Sequence, residues 1–294
     1  MTLSLDQHKI DSTKDDKTIN EQIACMLKAL RPKWNCDSLK FKRYTNGITN
    51  AVICVESPDD SEKLVVRIYG TGTENIIDRK TEMKHFEVLS RYEIAPTVHA
   101  YFKNGFVCGF LSGSPLNVTQ VRSPKIVQRI SEKLAKMHLL CHNDLLVYNL
   151  LYDEDEDEVH IIDYEYTAVN YQLFDIANHF CEYAVRLLGS DLALKKSTMI
   201  SVQTTKKKMR FLETYLTCYL DRNPTKKELE DALVEIPKFE AVTFVFCDLM
   251  ECASHLFWTL WALAQANASS IDFDYISYAG KRFEQFSRIN EEIE

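Results

Sequence analysis

The stretch CHNDLLVYNLL, residues 141–151, combines a histidine, an aspartate and an asparagine in a short polar segment that runs into an apolar one. The apolar NLLY is followed by the acidic run Asp153–Glu158 and then by VHIIDYEY. This pattern predicts a short hairpin with the acidic run at its solvated turn. Asp163 ends the second strand, which is predicted to pair back against NLLY.

These residue types suit the transfer of a phosphoryl group. That reaction needs a carboxylate to orient or accept the proton of the attacking hydroxyl, and hard oxygen ligands to hold Mg²⁺ against the phosphates. Asp144 suits the first role, and Asn149 with Asp163 suits the second. His142 completes the catalytic set as a brace for the loop. The order H-x-D-x4-N, hairpin, Asp is the protein-kinase-like arrangement, although ordinary turn-forming residues produce a motif of this length too.

The flanking patterns predict an α+β, protein-kinase-like two-lobe fold with a small β-rich N-terminal lobe and a larger helical C-terminal lobe. Residues 1–20 are polar and are expected to form a flexible leader. Residues 21–113 are expected to form a nucleotide-binding lobe, and residues 114–294 a helical lobe with the catalytic loop and the substrate pocket. The expected helices cover 20–30, 74–92, 123–138, 174–187, 203–221, 225–235, 239–268 and 275–290.

The β-rich lobe offers candidates for binding nucleotide phosphates. A turn between two alternating segments has backbone N–H groups that could cover phosphates. The turn residues in question are Asn46, Gly47, Thr49 and Asn50. Arg67 lies on the next strand, and Glu82 on the following helix could orient it as an ion pair. Most Asn-Gly turns have no further function, and an Arg–Glu pair is often only a surface salt bridge. The motif at residues 142–149 favours the nucleotide-binding interpretation of both features.

Composition excludes other classes. The formal net charge of −8 disfavours a nucleic-acid partner, because phosphate backbones attract basic surfaces. Nine cysteines without a CxxC pair indicate reduced thiols and a cytoplasmic protein. The longest apolar run, 239–268, is interrupted by acidic residues and so suits a buried helix better than a membrane span.

The chain resembles the choline/ethanolamine kinase family, which is related to the aminoglycoside phosphotransferases. The matching stretches are TNGITN, LVVRIYG, LAKMH, CHNDLLVYNLLY, IIDYEYTAVNYQLFDIANHFCEY, HLFWTLWALAQA and FDYISYAGKRFEQF. The resemblance implies an ATP- and Mg²⁺-dependent kinase with Asp144 as catalytic base and with Asn149 and Asp163 on the metal. It also implies that Arg67 contacts ATP phosphates and that Asp175 braces the catalytic loop.

An amino alcohol carries a cation at one end and a hydroxyl at the other, so its pocket needs carboxylates and aromatic faces. Two tryptophans on one buried helix are more often core residues, but the resemblance implies that they line the pocket. The pocket candidates are Tyr164, Glu165, Glu182, Trp258, Trp261, Phe273 and Tyr278.

Ethanolamine is the favoured substrate, because RIYG is followed by the pair Asp78-Arg79, as in the ethanolamine branch. The product would be phosphoethanolamine, in the CDP-ethanolamine pathway of phosphatidylethanolamine synthesis. Choline kinase is the alternative. A large aminoglycoside suits the paired tryptophans less well. The oligomeric state is left open, a homodimer included.

The chain departs from the family at one junction. Family members have a long segment between the LAKMH helix and the CHND loop, whereas only Leu139 and Leu140 stand here. A shortened isoform, a mis-spliced transcript or a deletion would explain this. Either the 123–138 helix substitutes for the missing helix or the lobe is destabilised. A destabilised lobe would make the chain a catalytically impaired isoform that binds nucleotide or a full-length partner. This interpretation stands beside ethanolamine kinase and choline kinase.

Overall fold

A computed structural model describes residues 2–44, 50–70, 72–73, 77–182, 202–238, 259–260, 262–266 and 273–293. The strands are β1 (Leu3–Leu5), β2 (Lys40–Tyr44), β3 (Asn50–Glu56), β4 (Leu64–Tyr69), β5 (Val98–Phe102), β6 (Gly105–Gly109), β7 (Ser114–Pro115), β8 (Leu150–Asp153) and β9 (Glu158–Ile161). The helices are α1 (Asp16–Leu30), α2 (Arg79–Arg91), α3 (Pro124–Met137), α4 (Gln172–Glu182), α5 (Val202–Leu220), α6 (226–238) and α7 (Tyr275–Ile293). Residues 259–260 and 262–266 are also helical.

The chain forms two compact units. Unit 1 comprises residues 1–81, 90–111 and 256–284, and unit 2 comprises 82–89, 112–255 and 285–294. The predicted division at 113/114 is close to the 111/112 boundary, but part of the predicted helical lobe, 256–284, groups with unit 1 instead. Among the helices that the structure describes, none is both long and apolar enough to cross a membrane.

A six-stranded sheet forms the centre of unit 1, in the order β1-β5-β6-β4-β3-β2. Side chains alternate between the two faces of each strand. One face of β3 and β4 therefore presents Ile53, Val66 and Ile68 to a core that also contains Ile23 and Met26 of α1. The opposite face receives Asn50 and Arg67, so the pleat separates the polar candidates from this core.

The expected flexible leader is wrong for residues 2–20. β1 pairs in parallel with β5, and Leu5, Ile10 and Ile19 are at most 2% exposed in the core beneath α1. The side chain of Asp15 accepts a hydrogen bond from the backbone N–H of Thr18, which starts α1 four residues before the predicted start. The polar composition misled the prediction, because the few apolar residues between the polar ones are those that pack.

In unit 2, α3 packs against α5 and β9 and leads directly into the segment around residue 142. Ser123 caps the N-terminus of α3, with Pro124 in its first turn, as helix starts favour. β8 and β9 form the predicted hairpin in a small sheet with β7. The acidic turn is not merely solvated, since Asp157 forms ion pairs with Lys125 and Arg129 of α3.

Candidate active site

We call residues His142–Asn149 the catalytic loop. Asp175, in the first turn of α4, is fully buried beneath it. One carboxylate oxygen accepts the backbone N–H of His142 at 2.5 Å, and the other accepts the N–H of Asn143 at 2.7 Å. Hydrogen bonds to a charged acceptor are among the stronger ones. The expectation that Asp175 braces the loop matches these contacts.

His142 holds the loop from inside. Its Nε2 lies 2.9 Å from the carbonyl oxygen of Ile162, and its Nδ1 lies 3.3 Å from the backbone nitrogen of Asp144. A carbonyl only accepts and a backbone N–H only donates, so these contacts place a ring proton on Nε2 and use Nδ1 as an acceptor. His142 therefore joins the loop to the residue before Asp163 and positions both, rather than reacting itself.

Two residues of the site have left-handed backbone conformations. Asn143 has a φ of 66° and Asp163 a φ of 68°. Asparagine and aspartate tolerate this region better than other residues with a Cβ. The turn at Asn143 is held further by its side chain, which donates to the carbonyl oxygen of Tyr166 at 2.9 Å. Sequence reasoning missed this role of Asn143, although its place within the HND motif was a usable signal.

Asp144 and Asn149 lie in contact in the catalytic loop. The Asn149 Nδ2 donates to the backbone oxygen of Asp144 at 2.9 Å and to its carboxylate at 3.3 Å. These bonds turn the amide so that its Oδ1 faces away from Asp144. Burial raises the pKa of the Asp144 carboxyl and the negative charge of Asp163 raises it further, whereas His142 and the hydrogen bond from Asn149 lower it.

This donor set fits a hard divalent cation. The Asn149 Oδ1 and the Asp163 carboxylate are oxygen ligands of the type that Mg²⁺ prefers. The negative charge of Asp163 raises the pKa of the Asp144 carboxyl, so the two carboxylates repel each other. A bound cation would relieve their repulsion.

A second cluster of ligand types lies beneath the loop and is explained without a metal. Atoms of His138, Cys141 and Asp175 all lie within 4.8 Å of one another. His138 bonds Asp175 through Nε2 at 3.3 Å and the hydroxyl of Tyr215 through Nδ1 at 2.6 Å. Burial, with the charge of Asp175, raises the pKa of the Cys141 thiol to about 12, so it remains protonated. The cluster is a hydrogen-bonded support for the catalytic loop.

The short junction is continuous with this support. α3 ends at Met137, and His138 already contacts Asp175. Cys141 then pairs with Ala168 through two backbone hydrogen bonds of 2.9 and 3.0 Å. These contacts favour the interpretation that α3 substitutes for the missing helix. Leu139, at the junction itself, is 55% exposed.

Tyr164 is a correction to the predicted pocket. Its side chain is 1% exposed, its hydroxyl donates to the carbonyl oxygen of Ile161, and its ring packs edge-on against Phe86 of α2. It also contacts the His142 ring at a centroid distance of 5.7 Å. Tyr164 thus supports the loop from the core and does not form an accessible wall. An aromatic residue beside an active-site aspartate gives no sequence signal that separates these roles.

In unit 1, the nucleotide candidates Asn50 and Arg67 share one face of the sheet. Asn50 lies opposite Tyr69 in the β3–β4 pair, and Val52 lies opposite Arg67. Asn50 and Val52 are two residues apart on β3, and Arg67 and Tyr69 are two residues apart on β4. All four side chains therefore point to the same face of the sheet. Arg67 is buried, as is Glu82 on α2; their ion pair stays a prediction.

The remaining candidates divide into those that the structure describes and those that it does not. Phe273 and Tyr278 come together, with ring centroids 5.6 Å apart. Glu165 is half-buried in the turn after Asp163. Glu182 is the last residue of α4, and its side chain is outside the description. Also outside the described residues are Asn46, Gly47, Thr49, Trp258 and Trp261.

Comparison with known proteins shows the family to which this chain belongs. The choline/ethanolamine kinase family model matches residues 41–140 and 139–287. The chain belongs to the choline/ethanolamine kinase family. The assignment made from the sequence is confirmed, and with it the assignment to a family of kinases. The two matched pieces meet at residues 139–140, the junction at which the sequence predicts a missing segment.

Individual members of the family extend this comparison. Ethanolamine kinase 1 of Mus musculus is 29% identical over 360 residues, which cover 97% of this chain and 94% of the relative. Since 360 positions exceed the 294 residues of this chain, the alignment includes positions that this chain lacks. Probable choline kinase 3 of Arabidopsis thaliana is 27% identical over 90% of this chain and 92% of the relative.

A solved structure gives the fold. An ethanolamine kinase from Plasmodium vivax superimposes with a TM-score of 0.65 at 22% identity, over 93% of this chain and 90% of that chain. The α+β, protein-kinase-like fold class predicted from the sequence is confirmed.

Proposed function

We propose that this chain is an ethanolamine kinase, which transfers the γ-phosphoryl group of ATP to the hydroxyl of ethanolamine and forms phosphoethanolamine. The observation that carries the proposal is the contact between Asp144 and Asn149 in a loop braced by Asp175. This arrangement holds a carboxylate and an amide oxygen at fixed positions, and phosphoryl transfer depends mainly on such positioning.

Asp144 acts as the base in this proposal. Its carboxylate orients the substrate hydroxyl and accepts its proton as the oxygen attacks the γ-phosphorus, while the bond from the γ-phosphorus to the β,γ-bridging oxygen breaks and ADP leaves. The raised pKa of Asp144 makes the carboxylate a stronger base than an exposed aspartate. His142 and Asp175 keep the loop in place, so that the carboxylate does not have to reorganise during the reaction.

Asn149 and Asp163 are proposed to hold Mg²⁺. The bound ion would neutralise charge on the phosphate oxygens. Asn149 serves two needs at once, because its Nδ2 restrains Asp144 while its Oδ1 faces away from it. Asn50 and Arg67, on one face of the sheet, are proposed to contact the ATP phosphates together with the turn residues Asn46, Gly47 and Thr49.

The amino-alcohol pocket is proposed to use Glu165, Glu182, Trp258, Trp261, Phe273 and Tyr278. The contact between Phe273 and Tyr278 supports this, since adjacent aromatic faces suit a cation. The relative from Mus musculus is named an ethanolamine kinase, and the Asp78-Arg79 pair points to the same branch. The plant relative is named a choline kinase, so choline is the second candidate. A cytoplasmic location and a homodimer stay predictions.

Steady-state kinetics with each amino alcohol test the proposal. The purified chain is assayed for ATP- and Mg²⁺-dependent phosphorylation of ethanolamine and of choline, and kcat/KM is compared. The proposal expects a higher value for ethanolamine. A higher value for choline supports the second candidate. The absence of turnover with both, in a chain that melts cooperatively, supports the impaired isoform instead.

A further inference from the structure

We propose that Arg79 is a positioning residue for the ATP phosphates, acting through Asn50. The inference rests on the proposed kinase function and deepens it. The sequence motifs assign Arg79 no role in the reaction, because the Asp78-Arg79 pair only indicates the ethanolamine branch.

The Arg79 side chain joins three segments of unit 1. Its Nη2 donates to the Oδ1 of Asn50 at 3.0 Å and to the hydroxyl of Thr73 at 2.6 Å. Thr73 in turn donates to the backbone oxygen of Gly70 at 2.8 Å. The start of α2 is thereby fixed to the first residue of β3 and to the turn that follows β4.

A ring contact fixes the plane of the guanidinium. Its central carbon lies 4.4 Å from the centroid of the Tyr69 ring. Tyr69 lies directly opposite Asn50 in the β3–β4 pair. The two hydrogen bonds and the stacking contact therefore act on neighbouring positions of the same sheet face, the one that carries Arg67.

The contact determines which way the Asn50 amide points. Because Oδ1 accepts from Arg79, the Nδ2 group of Asn50 is turned to the other side. An N–H group is what a phosphate oxygen can accept from, whereas a carbonyl oxygen would repel it. Arg79 thus sets the amide orientation that suits an anion. Asn50 is 6% exposed and Thr73 4%, so neither contact is loosened by full hydration.

Lysine cannot reproduce this arrangement. The guanidinium is a planar fork that stacks on an aromatic ring, and one nitrogen donates in two fixed directions. The lysine ammonium keeps the positive charge but lacks the planar group that stacks on the Tyr69 ring. Arg79→Lys therefore separates geometry from charge. A matched control is Arg43→Lys, because Arg43 also lies in unit 1 and pairs with Asp16 at 2.5 Å on the surface.

The test measures ATP and ethanolamine dependence separately in the full chain. We expect Arg79→Lys to raise the KM for ATP about tenfold, the scale of one hydrogen bond to a charged group, without changing the KM for ethanolamine. Arg43→Lys should change neither. Equal KM values for ATP in Arg79→Lys and Arg43→Lys would overturn the inference.

A double-variant cycle distinguishes positioning from direct phosphate contact. If Arg79 acts through Asn50, the combination Arg79→Lys/Asn50→Ala should have the same KM for ATP as Asn50→Ala alone. If the KM for ATP in the double variant is instead raised by the product of the two single effects, Arg79 acts independently of Asn50, and this contradicts the proposal. If Arg79→Lys does not fold, Thr73→Val and Thr73→Ser replace it. A KM for ATP raised in Thr73→Val but not in Thr73→Ser supports the inference, and equal values contradict it.

Calorimetric titration with Mg·ATP separates this inference from the proposed function. A wild-type chain that phosphorylates neither amino alcohol contradicts the proposed function. If it still binds ATP, and Arg79→Lys binds about tenfold more weakly, the positioning role stands. Equal affinities of wild type and Arg79→Lys would refute that role whether or not the chain is active.

Discussion

The carboxylate of Asp175 accepts a 2.5 Å hydrogen bond from the backbone N–H of His142, and so the first turn of α4 fixes the start of the catalytic loop. The same carboxylate also contacts His138 at the end of α3. One buried side chain therefore joins the helix before the loop, the loop itself and the helix after the hairpin. α3 therefore runs into the catalytic loop through a shared, buried hydrogen-bond acceptor.

Asp175→Asn should weaken both stability and catalysis. Asparagine has one acceptor oxygen, whereas the loop presents two buried N–H groups. One of them would lose its partner, at a cost of about 1–3 kcal/mol in unfolding free energy. We expect a lower kcat as well. Denaturant unfolding and kinetics measure both.

Asp15→Asn is the matched control for Asp175→Asn. Asp15 also accepts a backbone N–H, but at the exposed start of α1, where asparagine caps equally well. Its stability and kcat should stay near those of the wild type. Equal losses of stability and kcat in the two variants would contradict a supporting role of the Asp175 carboxylate beneath the catalytic loop.

The hydrogen bond from the Nε2 of His142 to the Ile162 oxygen predicts which substitution preserves more activity. Glutamine places an N–H group near the position of Nε2 and can still donate to the Ile162 oxygen, whereas asparagine is too short. We expect His142→Gln to retain more activity than His142→Asn. Nitrogen NMR of the imidazole should show the Nε2–H form. An Nδ1–H form, or a better rate in His142→Asn, would contradict the assignment.

Asp163→Asn should increase the Mg²⁺ concentration needed for activity. The change removes a charged oxygen ligand, so the curve of rate against free Mg²⁺ should shift to higher concentration by about tenfold or more. Asp157→Asn changes an aspartate at the hairpin turn of the same unit and should leave the curve in place. A curve for Asp163→Asn that coincides with the control would remove Asp163 from the proposed metal site.

Buried His179 makes stability depend on pH. Burial lowers its pKa to about 4 in the folded chain, compared with an ordinary value of 6.5. The unfolded chain therefore takes up a proton below pH 6.5 that the folded chain refuses until about pH 4, and stability is lost as pH falls through that window. The loss from this group is about 3 kcal/mol at most.

Unfolding free energies of wild type and His179→Gln at pH 7 and pH 5 measure this effect. The wild type should lose more stability between the two values than the variant, whatever their absolute difference at pH 7. Equal losses of stability between pH 7 and pH 5 in the wild type and His179→Gln would show that His179 titrates normally.

The sequence predicted local features better than long-range contacts. The hairpin at β8 and β9, α3 and the grouping of Asp144 with Asn149 follow from patterns within a few residues. The bond between His138 and Tyr215 joins residues 77 positions apart, and no local pattern indicates it. Caps explain the errors at helix ends: Asp78 accepts the N–H groups of Lys80 and Thr81, so α2 starts at 79 rather than 74.

Burial separated supporting residues from candidate pocket residues. The sequence treats Tyr164 and Tyr278 alike, as tyrosines in matching motifs. In the fold, Tyr164 is enclosed between Phe86 and His142, whereas Tyr278 lies beside the exposed Phe273. The difference arises from tertiary packing, which composition and spacing do not encode.

The most direct test of the account is the rate of ATP-dependent ethanolamine phosphorylation in wild type and in Asp144→Asn. The substitution keeps the size of the side chain and removes the base, while the brace by Asp175 acts on neighbouring backbone groups and is retained. The account predicts turnover in the wild type and a loss of about 10²–10⁴-fold in the variant, the usual contribution of a positioned base. Equal rates in the two proteins would contradict it.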